Sequence, residues 1–174
     1  CIARANNDLT IRTALLESRF VHGDQPLYLE LRKRFADDVV KGSGPAFVTA
    51  KLTERDDRHQ RMGDSRYVVE PNIKEGKGGL RDLHTLFWIA KYLYDVADLG
   101  ELVTRGILTA AELRMFQRAH RFLWTVRCHM HYLMNRPEER LTFDLQSELA
   151  TAMRFHRREG SESVERFMKH YYLI

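Results

Sequence analysis

The sequence predicts an all-α bundle of about seven or eight helices, mostly antiparallel neighbours, with one long Gly-rich loop. Three observations carry this. Apolar residues recur at helical spacing in nearly every segment, as at Leu9, Ile11, Leu15, Leu16 and Phe20. Helix start signals sit ahead of those stripes: Asp8, Pro26 and the T-x-x-E box of Thr109 and Glu112. Glycine, proline and alternating charge cluster in one place only, Glu70 to Leu83, read E-P-N-I-K-E-G-K-G-G-L-R-D-L.

In order, Asp8 caps a first helix expected to reach Val21, with Gly23 closing it. Pro26 opens a second, carrying Leu27, Leu29, Leu31 and Phe35 and fading near Asp38. After a short linker at 41–45, a third helix from Ala46 to Met62 buries Phe47, Val48 and Leu52. Its second half, T-E-R-D-D-R-H-Q-R, offers i,i+4 pairs Glu54–Arg58 and Asp57–Arg61. Residues 64–77 are irregular; Y-V-V-E at 67–70 has strand character but no partner strand nearby. Leu80 to Tyr94 is expected to be the most buried helix, with His84 and Trp88 as packing residues. A short helix spans Leu99 to Arg105, and the longest runs from the Thr109 box to Asn135, where Pro137 forbids continuation. Its inner side is read as Leu113, Phe116, His120, Leu123, Trp124, Cys128, His131 and Leu133. His129 and His131 lie about 200° apart on a helix, and His120 has no carboxylate at i,i+4, so a metal centre is not expected there. Asp144 or Ser147 starts a helix to Phe155. A turn at 159–161 follows, then a last helix from Ser161 or Ser163 through Val164, Phe167, Met168 and Tyr171.

The Gly-rich stretch carries the chemistry. Pro71 holds Glu70 out of the helical region, and Gly76, Gly78 and Gly79 precede the helix that starts at Leu80. Free backbone N–H groups at a helix start, with the helix dipole, favour an anion. Lys74, Lys77 and Arg81 add positive charge, so a phosphate-bearing ligand is one reading, with Lys74, Lys77, Gly78, Gly79, Arg81 and Asp82 as its residues. Asp82 would orient Arg81 or approach a metal. Arg58, His59 and Arg61 are further candidates to line a nucleotide site. The competing reading is architectural: a tight turn, with Asp82 stabilising the first helical turn and Arg81 paired to Glu70. The stretch is neither a Walker A loop nor a dinucleotide fingerprint, lacking G-K-[ST] and G-x-G-x-x-G.

Composition narrows the class. With 44% hydrophobic and 30% charged residues, the 174-residue chain is a globular domain, not a disordered one. A net charge of +4 permits an anionic partner without requiring one. Basic residues are diluted by acids and no aromatic platform stands out, so nucleic acid is not an expected partner. No apolar run approaches the roughly 18 residues of a membrane span. Two cysteines, Cys1 and Cys128, make no disulfide framework and suit a reducing cytoplasm. The start, C-I-A-R-A-N-N-D, is neither a signal peptide nor Met-initiated, and the last helix stops with its apolar face intact; the chain reads as part of something longer.

The stretch E-P-N-I-K-E-G-K-G-G-L-R-D-L-H-T-L-F-W-I-A-K resembles the signature of the bifunctional PII uridylyltransferase/uridylyl-removing enzymes. D-L-T-I-R-T-A-L-L-E-S-R at 8–19, R-H-Q-R at 58–61, R-L-T-F-D at 140–144 and V-E-R-F-M-K-H-Y-Y at 164–172 are similar in the same order, so the resemblance covers nearly the whole chain. The G-G-L-R-D core alone is shared with glutamine-synthetase adenylyltransferases. The resemblance implies a nucleotidyltransferase domain, then a helical domain, an HD phosphohydrolase domain and two ACT domains. Residues 1–40 would be the tail of the first or its linking helices, and 41–174 the helical domain. It further implies Mg²⁺- and UTP-dependent transfer of UMP to a Tyr of the signalling protein PII, its hydrolytic removal, and control by glutamine, in the cytoplasm. The D-x-D carboxylates of transfer and the H-D pair of removal are both missing from this sequence. The chain alone is therefore expected to hold no cofactor, contain no catalytic residue and be inactive, closing the cleft over UTP only beside its flanking domains. The alternatives are a non-catalytic interaction or relay module of the same enzyme, and the equivalent domain of an adenylyltransferase.

Overall fold

The computed structural model describes residues 1–157 and 160–174, so part of the expected turn at 159–161 lies outside the described residues. Among the described residues all regular structure is helical, apart from a single isolated β-bridge, and no strand forms. The helices are α1 (Ile2–Ala5), α2 (Leu9–Leu16), α3 (Gln25–Phe35), α4 (Gly44–Arg61), α5 (Leu80–Tyr94), α6 (Gly100–Thr104), α7 (Ala110–Met134), α8 (Phe143–Ala152) and α9 (Ser163–Leu173). All eight expected helices are present, and α1 is an additional short one. Alpha-helix α3 runs on into a π-helical turn, Ala36–Val40, closed by Lys41 N–H donating to Ala36 O at 3.0 Å.

The local start signals at Asp8 and the Thr109–Glu112 box act as read, and Asp24 adds a cap ahead of Pro26. Asp8 Oδ1 accepts from Thr10 N and Ile11 N at 2.8 and 3.1 Å, and Asp24 Oδ1 accepts from Leu27 N at 3.0 Å. Thr109 and Glu112 exchange both bonds of a capping box. The ends differ more. Helix α2 stops at Leu16 rather than Val21, and α3 crosses its end: Arg32 donates to Leu15 O and Leu16 O, and Tyr28 Oη donates to Ser18 O just beyond it. Helix α8 starts after Thr142, not at Asp144 or Ser147; Glu70, reaching from the irregular segment, accepts from Phe143 N instead. Glu162 precedes α9, where Glu165 accepts from Glu162 N and from Ser161 Oγ.

Three apolar cores organise the helices. One unites Ala5, Leu16, Phe35 and Val39 with Phe47 of α4 and Tyr92 of α5, whose rings stack at 3.8 Å. The largest joins Ile73 and Leu80 to Leu123, Val126 and Met130 of α7, Leu145 and Leu149 of α8, and Phe167 of α9. A smaller one gathers Ala90, Val96, Leu99 and Leu102 around α6. Helix α5 contributes to all three, and only Leu86, Leu93 and Tyr94 of its residues are exposed. Cys128, placed on the inner side of α7 by its spacing, faces out, as do Leu133 and Tyr132; a 25-residue helix with apolar residues on several stripes cannot bury all of them.

Tyr67–Glu70 forms no strand. The bridge lies just after it, Asn72 opposite Arg140, with Ile73 N donating to Glu139 O at 2.8 Å and Leu141 N to Pro71 O at 2.9 Å. Gln146 Nε2 donates to Val69 O and Tyr172 Oη to Val68 O, both at 2.8 Å. The irregular segment is thereby stitched to α8 and α9.

Candidate functional site

The loop before α5 is built around its own hydrogen bonds. Asn72 Oδ1 accepts from Lys74 N and Glu75 N at 3.0 and 2.7 Å, and Gly76 N donates back to Asn72 O at 2.9 Å. Gly79 N, Leu80 N and Arg81 N donate to Gly76 O, Ile73 O and Lys74 O at 2.9 to 3.0 Å. Gly78 N donates to Asp82 Oδ2 at 2.8 Å. The expectation of free N–H groups for an anion at this helix start is therefore corrected: these donors are already used. Three glycines are required here, Gly76 among them, because a Cβ on it would lie 2.5 Å from Asn72 O. A Cβ at Gly79 would lie 2.7 Å from Ile73 O and 2.9 Å from Gly76 O, and Gly78 has φ +80°. Gly78 and Gly79 thus shape the loop through their backbone.

Asp82 does not orient Arg81. Its Oδ1 accepts from Arg58 Nη2, and His59 Nε2 lies 3.0 and 2.9 Å from the two carboxylate oxygens. With Gly78 N, this engages both oxygens with protein partners. Arg58 is 4% exposed, and its expected partner Glu54 pairs instead with Lys51 at 2.8 Å. A buried guanidinium draws the partly buried carboxylate of another helix, where an exposed i,i+4 pair would return little. Arg61 likewise leaves the Asp57 carboxylate and donates to Asp57 O at 3.3 Å. Arg81 pairs with Glu75 at 3.2 Å, not with Glu70, which holds Arg140 at 2.9 Å.

These contacts bring R-H-Q-R of α4 and G-G-L-R-D of α5 together beside a cleft of about 430 Å³. Helix α4 contributes Lys51, Glu54, Arg58 and Arg61; the loop contributes Glu75; α5 contributes Arg81 and Trp88; α2 closes the side with Thr13 and Glu17. Trp88, read as packing, has Lys51 Nζ 4.8 Å and the Arg81 guanidinium 5.7 Å from its ring centre. Of the basic candidates, Arg58, Arg61 and Arg81 share this cleft. Lys74 Nζ lies 3.6 Å from Glu75, behind it. Lys77 points elsewhere, to Asp64 at 2.9 Å, and its hydrogen bond and charge hold the Asp64 carboxyl below the usual range.

Glu75, Lys51 and Glu17 were not singled out by the sequence. Lys51 lies two helical turns before Arg58, a spacing that places both on one face. Glu75 sits in a loop without periodicity and carries no comparable signal. Among the described residues no group of three or more His, Cys, Asp or Glu is placed to hold a metal ion.

The family model of the GlnD PII-uridylyltransferase matches residues 46–174. The bifunctional uridylyltransferase/uridylyl-removing enzyme of Rhodospirillum rubrum is 62% identical over the whole chain, that of Bradyrhizobium diazoefficiens 59% over 99% of it, and that of Azospirillum brasilense 55% over all of it. The chain spans 19% of the length of each of these relatives. No solved structure gives a significant match. The order of motifs, the pairing that joins them at Asp82 and the similarity along the whole sequence agree: the chain belongs to the GlnD PII-uridylyltransferase family.

Proposed function

We propose that the chain acts within a PII uridylyltransferase/uridylyl-removing enzyme as the helical domain that completes the UTP cleft, for transfer of UMP to a Tyr of PII. Residues 1–40 would connect to the nucleotidyltransferase domain, and an HD domain would follow. The observation that carries this reading is the meeting of R-H-Q-R and G-G-L-R-D at Asp82, which sets Arg58, Arg61 and Arg81 on one cleft. Guanidinium groups hold phosphate oxygens in paired, charge-assisted bonds, and in a partly dry cleft they stabilise charge developing on the leaving pyrophosphate. Asp82 orients Arg58. Mg²⁺, held by carboxylates of the nucleotidyltransferase domain, would neutralise the triphosphate and activate the attacking hydroxyl. A cytoplasmic location goes with this reading; no helix among the described residues is long and apolar enough to cross a membrane.

The relay-module alternative has its own support in Lys77, which pairs outside the cleft, and in the loop donors used internally. Arg81→Ala in the full-length enzyme separates the two. The Arg81–Glu75 pair is partly exposed, so stability should fall by no more than about 1 kcal/mol. Loss of a phosphate contact should lower kcat/KM for UTP on the order of 10²–10³-fold. A destabilised variant with normal kcat and KM would reject the phosphate contact.

A further inference from the structure

Three cations converge on Glu75, and they do so unequally. Its Oε1 lies 3.2 Å from Arg81 Nη2 and 3.6 Å from Lys74 Nζ. Its Oε2 lies 3.8 Å from Arg58 Nε, beyond hydrogen-bond reach. That Nε is buried and has no hydrogen-bond partner, on a side chain that is 4% exposed and lines the cleft. A guanidinium stays charged, so its buried N–H needs an acceptor. Asp82 serves Nη2 but not Nε. As placed, the Glu75 carboxylate bonds Arg81 and stops short of Arg58 Nε; a tetrahedral phosphate, with more oxygens at slightly wider spacing, is shaped to reach both.

We propose that Glu75 is a built-in competitor for the polyphosphate chain of the nucleotide: its carboxylate holds the place between Arg58 and Arg81 and swings out when a phosphate enters. The side chain is free to do so, being 28% exposed on a loop rather than locked in a helix. Two consequences follow. Without ligand the carboxylate offsets part of the positive charge of Arg58 and Arg81, and singly charged anions, which gain nothing over the resident carboxylate, are rejected in favour of the more highly charged triphosphate. Glu75 is on this account a specificity-determining residue, and the inference rests on the phosphate-cleft reading above.

The test uses inorganic tripolyphosphate, without divalent cations, titrated calorimetrically into the full-length protein that carries this chain. Wild type, Glu75→Gln and Arg61→Ala are compared, with thermal melts on the same preparations. Glu75→Gln keeps the shape and removes the charge, so binding should tighten about tenfold. Arg61→Ala removes a cleft cation and should weaken binding about as much. If Arg61→Ala weakens binding but Glu75→Gln leaves it unchanged or weaker, the competitor role is wrong and the cleft stands. If Arg61→Ala binds like wild type, the cleft is not the polyphosphate site, and the inference falls together with the reading it rests on.

Discussion

Asp82→Ala should be among the most damaging single substitutions in α5, for a reason that can be worked from the contacts. The carboxylate accepts from Arg58 Nη2, His59 Nε2 and Gly78 N, and is itself 20% exposed. Its removal leaves the Arg58 charge buried without its main counter-ion, a loss of about 3–5 kcal/mol when both partners are buried. Partial access of water to the vacated position argues for the lower end, and the lost acceptor for Gly78 N–H adds about 1 kcal/mol. The sum, about 3–4 kcal/mol, corresponds to a Tm lowered by roughly 10 °C at the 2–4 °C per kcal/mol typical of this chain length. Urea melts should show the change in midpoint with an unchanged slope. Adding Arg58→Met to Asp82→Ala should restore a good part of the loss, because no unpaired charge then remains in the interior. An Asp82→Ala variant within about 0.5 kcal/mol of wild type, or a double variant no better than the single, would refute the reasoning.

Gly79→Ala should cost about 1–3 kcal/mol, since its Cβ would meet three backbone oxygens, of Ile73, Gly76 and Lys74, within 3.0 Å; an unchanged melt would show that the loop yields freely. Stability should also fall on acidification below about pH 6.5 through His84 and His120. Burial lowers the folded pKa of both, with the facing histidine and Arg81 adding to the effect on His84 against an opposing Glu17, and the neutral His120 Nε2 accepts from Trp124 Nε1 at 2.9 Å. The unfolded chain thus takes up these protons first, so their contribution is full above the unfolded value and is lost as pH falls toward the folded one. His120→Gln should flatten the dependence of the urea midpoint between about pH 7.5 and 5.5, and an identical slope in the variant would remove His120 from the account. The chain alone should show no Mg²⁺-dependent transfer of UMP to PII, because it lacks a D-x-D pair; transfer by pure chain would place the catalytic carboxylates within it.

What was legible in the sequence was local. Asp8 and the Thr109–Glu112 box act on donors two or three residues away, so a short window contains the whole interaction. The loop's place and the start of α5 were legible for the same reason. The partners of Arg58 and Arg81 were not. Glu54 at i−4 is nearer in sequence, but Arg58 is buried and takes Asp82, supplied by a different helix. The family resemblance had set Arg58, Arg61 and Arg81 in one candidate group, and the structure supplies the link between them. The backbone donors of the Gly loop were misjudged for a related reason: carbonyls of Ile73 and Lys74 fold back onto α5, a contact no periodicity announces.

The pairing of Asn72 with Arg140 fixes when, as well as where, the cleft can exist. Segments 71–73 and 139–141 are far apart along the chain, and bringing them together closes a long loop whose entropy must be met before α7, α8 and α9 return it as buried apolar contact. Stacking Phe47 on Tyr92 closes a shorter loop than joining Asn72 to Arg140 does, and the segment ahead of the turn gains its bonds from Phe143 and Gln146 only when α8 docks. During synthesis, then, Arg58 leaves the ribosome well before the residues that secure its counter-ion's loop, and the charged face of α4 must wait in water until the C-terminal helices arrive.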